Sequence, residues 1–179
     1  MEVNGILNLW QKDGIYLPSS NLGIDDFSIN DIRMGNLKMS IAGNKDLTEF
    51  IVNSEITDKG IEKLNVVGNI KNYGDIPETD LLASFTNFDL EPFAPLGEGV
   101  IGNIRGDLNG NARIQGAINN PDFSGILTLD NAGIGIPFLN VDYDFAKNSR
   151  VDLEKQSFNF DNIAMTDVAT GSKATIDGS

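Results

Sequence analysis

The chain has 179 residues, a formal charge of −13, and neither histidine nor cysteine. Those absences exclude Ser-His-Asp and Cys-His nucleophile systems, the usual zinc sites, disulfide frameworks and thiol redox chemistry. The acidity argues against nucleic acid and against an anionic membrane surface, because nothing here replaces phosphate counterions, and a solvated acidic exterior is the plain reading.

The opening MEVNGILNLWQKDG has no basic n-region and no long apolar run, so neither a signal peptide nor a membrane span is expected from it. Trp10 alternates with Ile6 there and is expected as a core or end-cap residue. Apolar residues then recur at every second position, the period of half-buried strands with one greasy and one wet face. Strands are predicted near residues 3–11, 22–30, 34–43, 47–57, 61–71, 80–88, 100–107, 109–118, 122–131, 134–145, 157–165 and 173–178. Parity changes between Leu22/Ile24 and Phe27/Ile29, which predicts a bulge at Asp25-Asp26.

One segment breaks the period. From Thr86 to Gly99, Leu90, Phe93 and Leu96 are spaced by three residues, with Asp89 placed to cap and Gly97 to terminate. A short helix near residues 89–97 is predicted, limited to about two turns by Pro95. Further on, Leu108, Ala112 and Ile114 share one parity, Phe123, Leu127 and Leu129 another run, and Leu139, Val141, Tyr143 and Phe145 a third. Pro137 interrupts the pattern and predicts a bend or an unpaired edge position. Glycine punctuates strand ends at irregular spacing, so no strict repeat emerges. No linker or low-complexity tract divides the chain, and a single β section is expected. The ending KATIDGS stops inside another alternating run, as in a piece of a longer protein.

Carboxylates are numerous enough to raise glycosidase chemistry, which needs only two. Asp142 and Asp144 alternate with Val141, Tyr143 and Phe145 and should face water, and nothing shields Asp25 or Asp26. No catalytic residues are expected. Calcium loops of the EF-hand and Gly-rich repeat types are missing, and Gly133-Ile134-Gly135-Ile136 and Gly97-Glu98-Gly99 do not suit a phosphate. Neither cofactor nor metal is expected.

What remains is the apolar face, which closes as a core in a sandwich or lines a trough in an open curved sheet. Periodicity is compatible with both. Each exposed methylene costs about 0.8 kcal/mol, so an ordinary acyl chain costs roughly ten in water. A row of about twelve strands at ~4.8 Å would extend over ~55 Å.

From Phe88 onward the sequence resembles the C-terminal region of the TamB family, large subunits of the bacterial translocation and assembly module. The matching pieces are the helix at Leu90–Leu96, Gly106-x-Leu108-x-Gly110, and Gly116-x-x-x-x-Pro121-x-x-x-Gly125-x-Leu127-x-Leu129. Asn131-Ala132, Ile136-Pro137, Leu139-x-Val141-x-Tyr143, Phe160-x-Asn162-Ile163-x-Met165-x-Asp167 and Ala174-x-Ile176-x-Gly178 follow in order. The first half matches loosely, through Leu22-Gly23-Ile24-x-Asp26-Phe27. The resemblance implies an all-β, elongated U-shaped sheet (a β-taco) with an apolar interior. It also implies a periplasmic parent anchored in the inner membrane that meets an outer-membrane barrel of the Omp85 type. Family roles implied are phospholipid movement between the membranes and support of outer-membrane protein assembly, without catalysis.

By parity, Leu37, Met39, Ile41, Ile114, Leu127, Leu129, Val141, Tyr143, Phe145, Phe158 and Phe160 are expected to line the interior against phospholipid acyl chains. Two alternatives stand beside this expectation. One is a scaffold that pairs its strands with a client polypeptide; the other is a closed sandwich or solenoid.

Overall fold

The computed structural model describes residues 2–12, 15–97 and 100–179. The side chains of Trp10 and Leu96, both given roles by the sequence pattern, lie outside what is described.

All described strands belong to one antiparallel sheet. They are β1 (Glu2–Lys12), β2 (Ile15–Ile29), β3 (Ile32–Gly43), β4 (Glu49–Asp58), β5 (Ile61–Lys71), β6 (Glu78–Asp89), β7 (Gly102–Ala117), β8 (Asp122–Ile136), β9 (Val141–Phe145), β10 (Ser149–Glu154), β11 (Ser157–Asp167) and β12 (Lys173–Gly178). The expected all-β class holds. Each strand pairs with its sequence neighbour, except that β8 is flanked by both β9 and β10. Those two lie end to end in one slot between β8 and β11: Ile136↔Val141 and Gly133↔Asp144 continue as Leu129↔Ser149 and Ser124↔Glu154.

Four elements differ from the sequence reading, the first being β2, which begins at Ile15 and not near residue 22. The stretches 100–107 and 109–118 are one strand, β7, because register slips at Gly102/Arg105 and Arg105/Asp107 bulge the chain without breaking pairing. β10 was not expected, its Val151 and Leu153 being too short an alternation between turns to stand out. Leu139, expected to lead the β9 run, belongs to the 3-10 turn Pro137–Leu139 and is exposed.

Bulges explain where parity fails. Asp26 is left-handed at φ 52, and the β2–β3 register shifts between Ile24 and Phe27, as the sequence predicted. Asn87 (φ 44), Asn103 (φ 48), Asn131 (φ 49) and Asn162 (φ 47) mark equivalent positions. Asparagine tolerates this region better than most residues, and at Asn87 the backbone N–H freed by the bulge donates to the Asn109 side-chain Oδ1 on the neighbouring strand at 2.7 Å.

The predicted helix is a 3-10 element, Glu91–Gly97, with Pro95 inside it. Asp89 Oδ1 accepts from Glu91 N–H at 2.9 Å, the capping role its position foretold. Pro92 is fully buried, and Phe93 packs on Met34, Ile56 and Phe88. Phe88 meets Phe85 edge-on at 5.6 Å between ring centroids and Phe93 at 6.0 Å. The element thus closes one end of the apolar face.

The strands form one sheet. Its accessible surface is 11055 Å², against roughly 8,500 Å² for a compact monomer of 19.4 kDa. The excess marks a chain less compact than an ordinary globular monomer of its mass.

Candidate functional site: an apolar face and two hollows

Paired residues on neighbouring strands present side chains to the same face, so the register tells which residues share it. One row runs Val3–Ile24–Leu37–Ile56–Leu64–Phe85–Gly110–Leu127–Val151–Phe160, from β1 to β11. The next runs Gly5–Leu22–Met39–Ser54–Val66–Ala83–Ala112–Gly125–Leu153–Phe158. A third sets Leu7, Ser20, Ile41, Val52, Gly68, Leu81, Ile114 and Phe123 in line. The Asn131 bulge restores the phase beyond Leu129, so that Tyr143 pairs with Ile134, Val141 with Ile136, and Phe145 with Met165.

All eleven residues expected to line the interior therefore lie on one face, but their surroundings differ. Leu127 and Leu129 are buried with Ala112, Ala132, Val151, Leu153 and Ile163, and Phe145 and Phe160 pack against that cluster. Here the face behaves as a core. Leu37, Met39, Ile41, Ile114, Val141 and Tyr143 are half-buried. Phe158 is 52% exposed, and on β1 Val3, Leu7 and Leu9 reach 54–71%. The apolar face is packed over its C-terminal strands and bare at its N-terminal edge.

The larger hollow is not on that face. A cavity of about 650 Å³ is bordered by Asn4, Ile6, Asn21, Lys38, Ser40, Asn53, Glu55, Asn65 and Val67. These alternate with the apolar rows and lie on the opposite side of β1–β5. Met39 borders it too, with Leu22 and Ser54, from the pleat between. Alternation along the strands does not disclose a hollow on the wet face. Lys38 Nζ sits 3.4 Å from Glu55 Oε1, so the charges there are matched. A second hollow of about 350 Å³ lies at one end of the sheet among Gly102, Pro137, Asn140, Val141, Asp142, Asp167 and Ala169.

The carboxylates occupy structural positions. Asp142 and Asp144 point away from the apolar face, and both accept from Arg105, Asp142 Oδ1 at 2.6 Å from Nη1. Asp26 and Asp58 share Arg33, while Asp80 receives two bonds from Arg113 at 2.8 and 2.9 Å. Hydrogen bonds from Arg33, Arg113 and Arg150 hold Asp58, Asp80 and Asp152 below the usual carboxylate range, against a smaller opposing effect of desolvation. Asp167 is lowered by the Thr170 hydroxyl and the Thr170 N–H. None of these is a carboxyl raised toward acid catalysis.

No family model matches the chain, and searches of curated proteins and of solved structures likewise find no match.

Proposed function

We propose that this chain is a section of a TamB-like, non-catalytic lipid-transfer protein whose apolar face shields phospholipid acyl chains from water. The observation that carries the reading is the row from Val3 to Phe160, which crosses ten strands with apolar side chains at every position but one glycine. A sheet with that face bare on β1 offers an acyl chain the lining it needs, each sheltered methylene contributing about 0.8 kcal/mol. The more open stretch lies over β1–β3, around Leu22, Ile24, Leu37, Met39 and Ile41, while Val52 and Ile56 of β4 are buried. In this reading the parent is periplasmic, anchored in the inner membrane and partnered with an Omp85-type barrel, as the sequence resemblance implies.

Lipid extraction and native mass spectrometry of the purified chain test the reading. Bound phospholipid is expected, and it should be lost in Met39→Asp/Ile41→Asp, provided circular dichroism shows an intact sheet. A folded protein that never carries lipid, and fails to bind a fluorescent fatty acid, would overturn it.

A second reading, capture of a client strand, is favoured by β1. Its outer edge has no partner among the described residues, and it exposes Ile6 on one face and Val3, Leu7 and Leu9 on the other. Long apolar edges pair with added strands. Proline at Leu7 should abolish client binding while leaving lipid binding intact.

A further inference from the structure

Three connections meet at the end of the sheet where the smaller hollow lies. Gly102 opens β7 opposite Gly135, the Pro137–Leu139 turn joins β8 to β9, and Val168, just past β11, donates its N–H to the Asp142 carbonyl at 2.8 Å. Gly102, Pro137, Asn140 and Ala169 border the same hollow. From these connections Val100 (70%), Ile101 (36%), Phe138 (89%), Leu139 (59%) and Val168 (58%) stand exposed.

We infer that this apolar tip inserts into the interface of a zwitterionic lipid bilayer. Large apolar side chains this exposed, gathered at one spot, mark an interaction site. The stretches 100–102, 137–140 and 168–171 contain no charged residue. Among the described residues, the neighbouring carboxylates are already bonded, Asp142 and Asp144 to Arg105 and Asp167 to Thr170. Aliphatic and aromatic side chains on stretches without a charge of their own enter the acyl boundary at little desolvation cost. The opposite end of the sheet supplies the contrast. It exposes Leu47, Tyr73, Ile76 and Ile118, but these alternate with Lys45, Asp46, Lys71, Asp75 and Asp122, as a solvated rim does. A net charge of −13 selects the lipid class, since an anionic surface would repel the chain. The tip also adjoins the apolar face directly: Val141 pairs with Ile136 immediately behind the turn. The inference extends the acyl-chain reading by giving that face a point of contact with a membrane.

Flotation of the full chain with phosphatidylcholine vesicles is the test. The wild type should float with the vesicles, and Phe138→Asp/Leu139→Asp should partition at least about tenfold less, because two carboxylates replace apolar insertion. The circular dichroism spectrum should be unchanged, since both side chains are exposed. Adding phosphatidylglycerol should weaken the wild type's binding. A wild type that stays with the buffer, or a double variant that floats equally well, overturns the inference. So does a lipid-free wild type that is a dimer and becomes a monomer in the double variant, which would make the tip a contact between copies. Fatty-acid binding, measured in parallel, separates the two ideas. Its absence from a wild type that still floats removes the acyl-chain reading and leaves the tip standing.

Discussion

Asn30 donates its side-chain amide to the Pro92 carbonyl at 2.7 Å, joining two residues 62 positions apart. The bond ties the β2–β3 turn to the 3-10 element that covers the cluster of Met34, Ile56 and Phe88. Asn30 is also left-handed, at φ 49, where alanine is disfavoured. Asn30→Ala should cost about 1–2 kcal/mol, read from urea unfolding. Asn30→Gly keeps the backbone and loses only the bond, so it should cost less. An Asn30→Gly variant as stable as the wild type would show that the bond contributes nothing, and equal costs for the two variants would show that the left-handed backbone does not penalise alanine.

Arg105 rests on the bare backbone of Gly133. A Cβ there would lie 2.4 Å from the guanidinium Cζ and 2.6 Å from the Tyr143 carbonyl. Gly133→Ala should therefore displace Arg105 from Asp142 and Asp144 and cost about 1–3 kcal/mol. In an Arg105→Ala background the same change should cost less, because only the carbonyl still crowds the new methyl. A double-mutant cycle in urea measures the difference, and additivity would show that the contact carries no energy.

Acid should weaken the fold from one side only. Asp58, Asp80, Asp152 and Asp167 all have folded-state values below their ordinary ones. Groups depressed by folding add stability that is present above the unfolded value, about 3.9 for aspartate, and lost as pH falls through the folded value. Stability should be flat near neutrality and decline below about pH 4. Thr170→Val should raise the Asp167 value toward normal, followed by carboxyl-carbon NMR. An unmoved Asp167 titration would assign the shift to main-chain donors.

The two halves of the apolar face should respond differently to substitution. Leu129, 8% exposed within the packed cluster, should cost about 2–5 kcal/mol as Leu129→Ala. Leu7, 71% exposed on β1, should tolerate alanine with little loss. Urea midpoints for the two variants compare them directly, and a Leu129→Ala midpoint equal to that of Leu7→Ala would contradict a packed C-terminal half.

The face was legible in the sequence because alternation survives strand after strand: Leu127 and Leu129 announce their side by parity alone, and register bears it out. The bulge at Asp26 was legible too, since apolar residues lie on both sides of it to report the change of phase. The Asn131 bulge was not, although Ala132, Ile134 and Ile136 carry the new phase, because Pro137 directly after them drew the interruption of the pattern to itself. Burial along the face was hidden as well. Leu37 and Leu127 look alike in sequence, yet one is half-buried and the other fully buried, since burial depends on residues of other strands that alternation does not report. The hollow beside Asn21, Ser40 and Asn53 reads as an ordinary wet face, because alternation does not report where a face is concave. The exposed tip had a faint signal, Phe138 and Leu139 directly after a proline, which the alternating pattern absorbed into a strand.

The meander has a consequence for how the molecule comes apart. Nearly every strand leans only on the strands adjacent to it in sequence, so stability accrues locally, as in a stack of repeats. Removing the first hairpin should leave the remaining strands folded, and heating should fray the chain progressively from β1 toward the cluster around Leu127 and Val151.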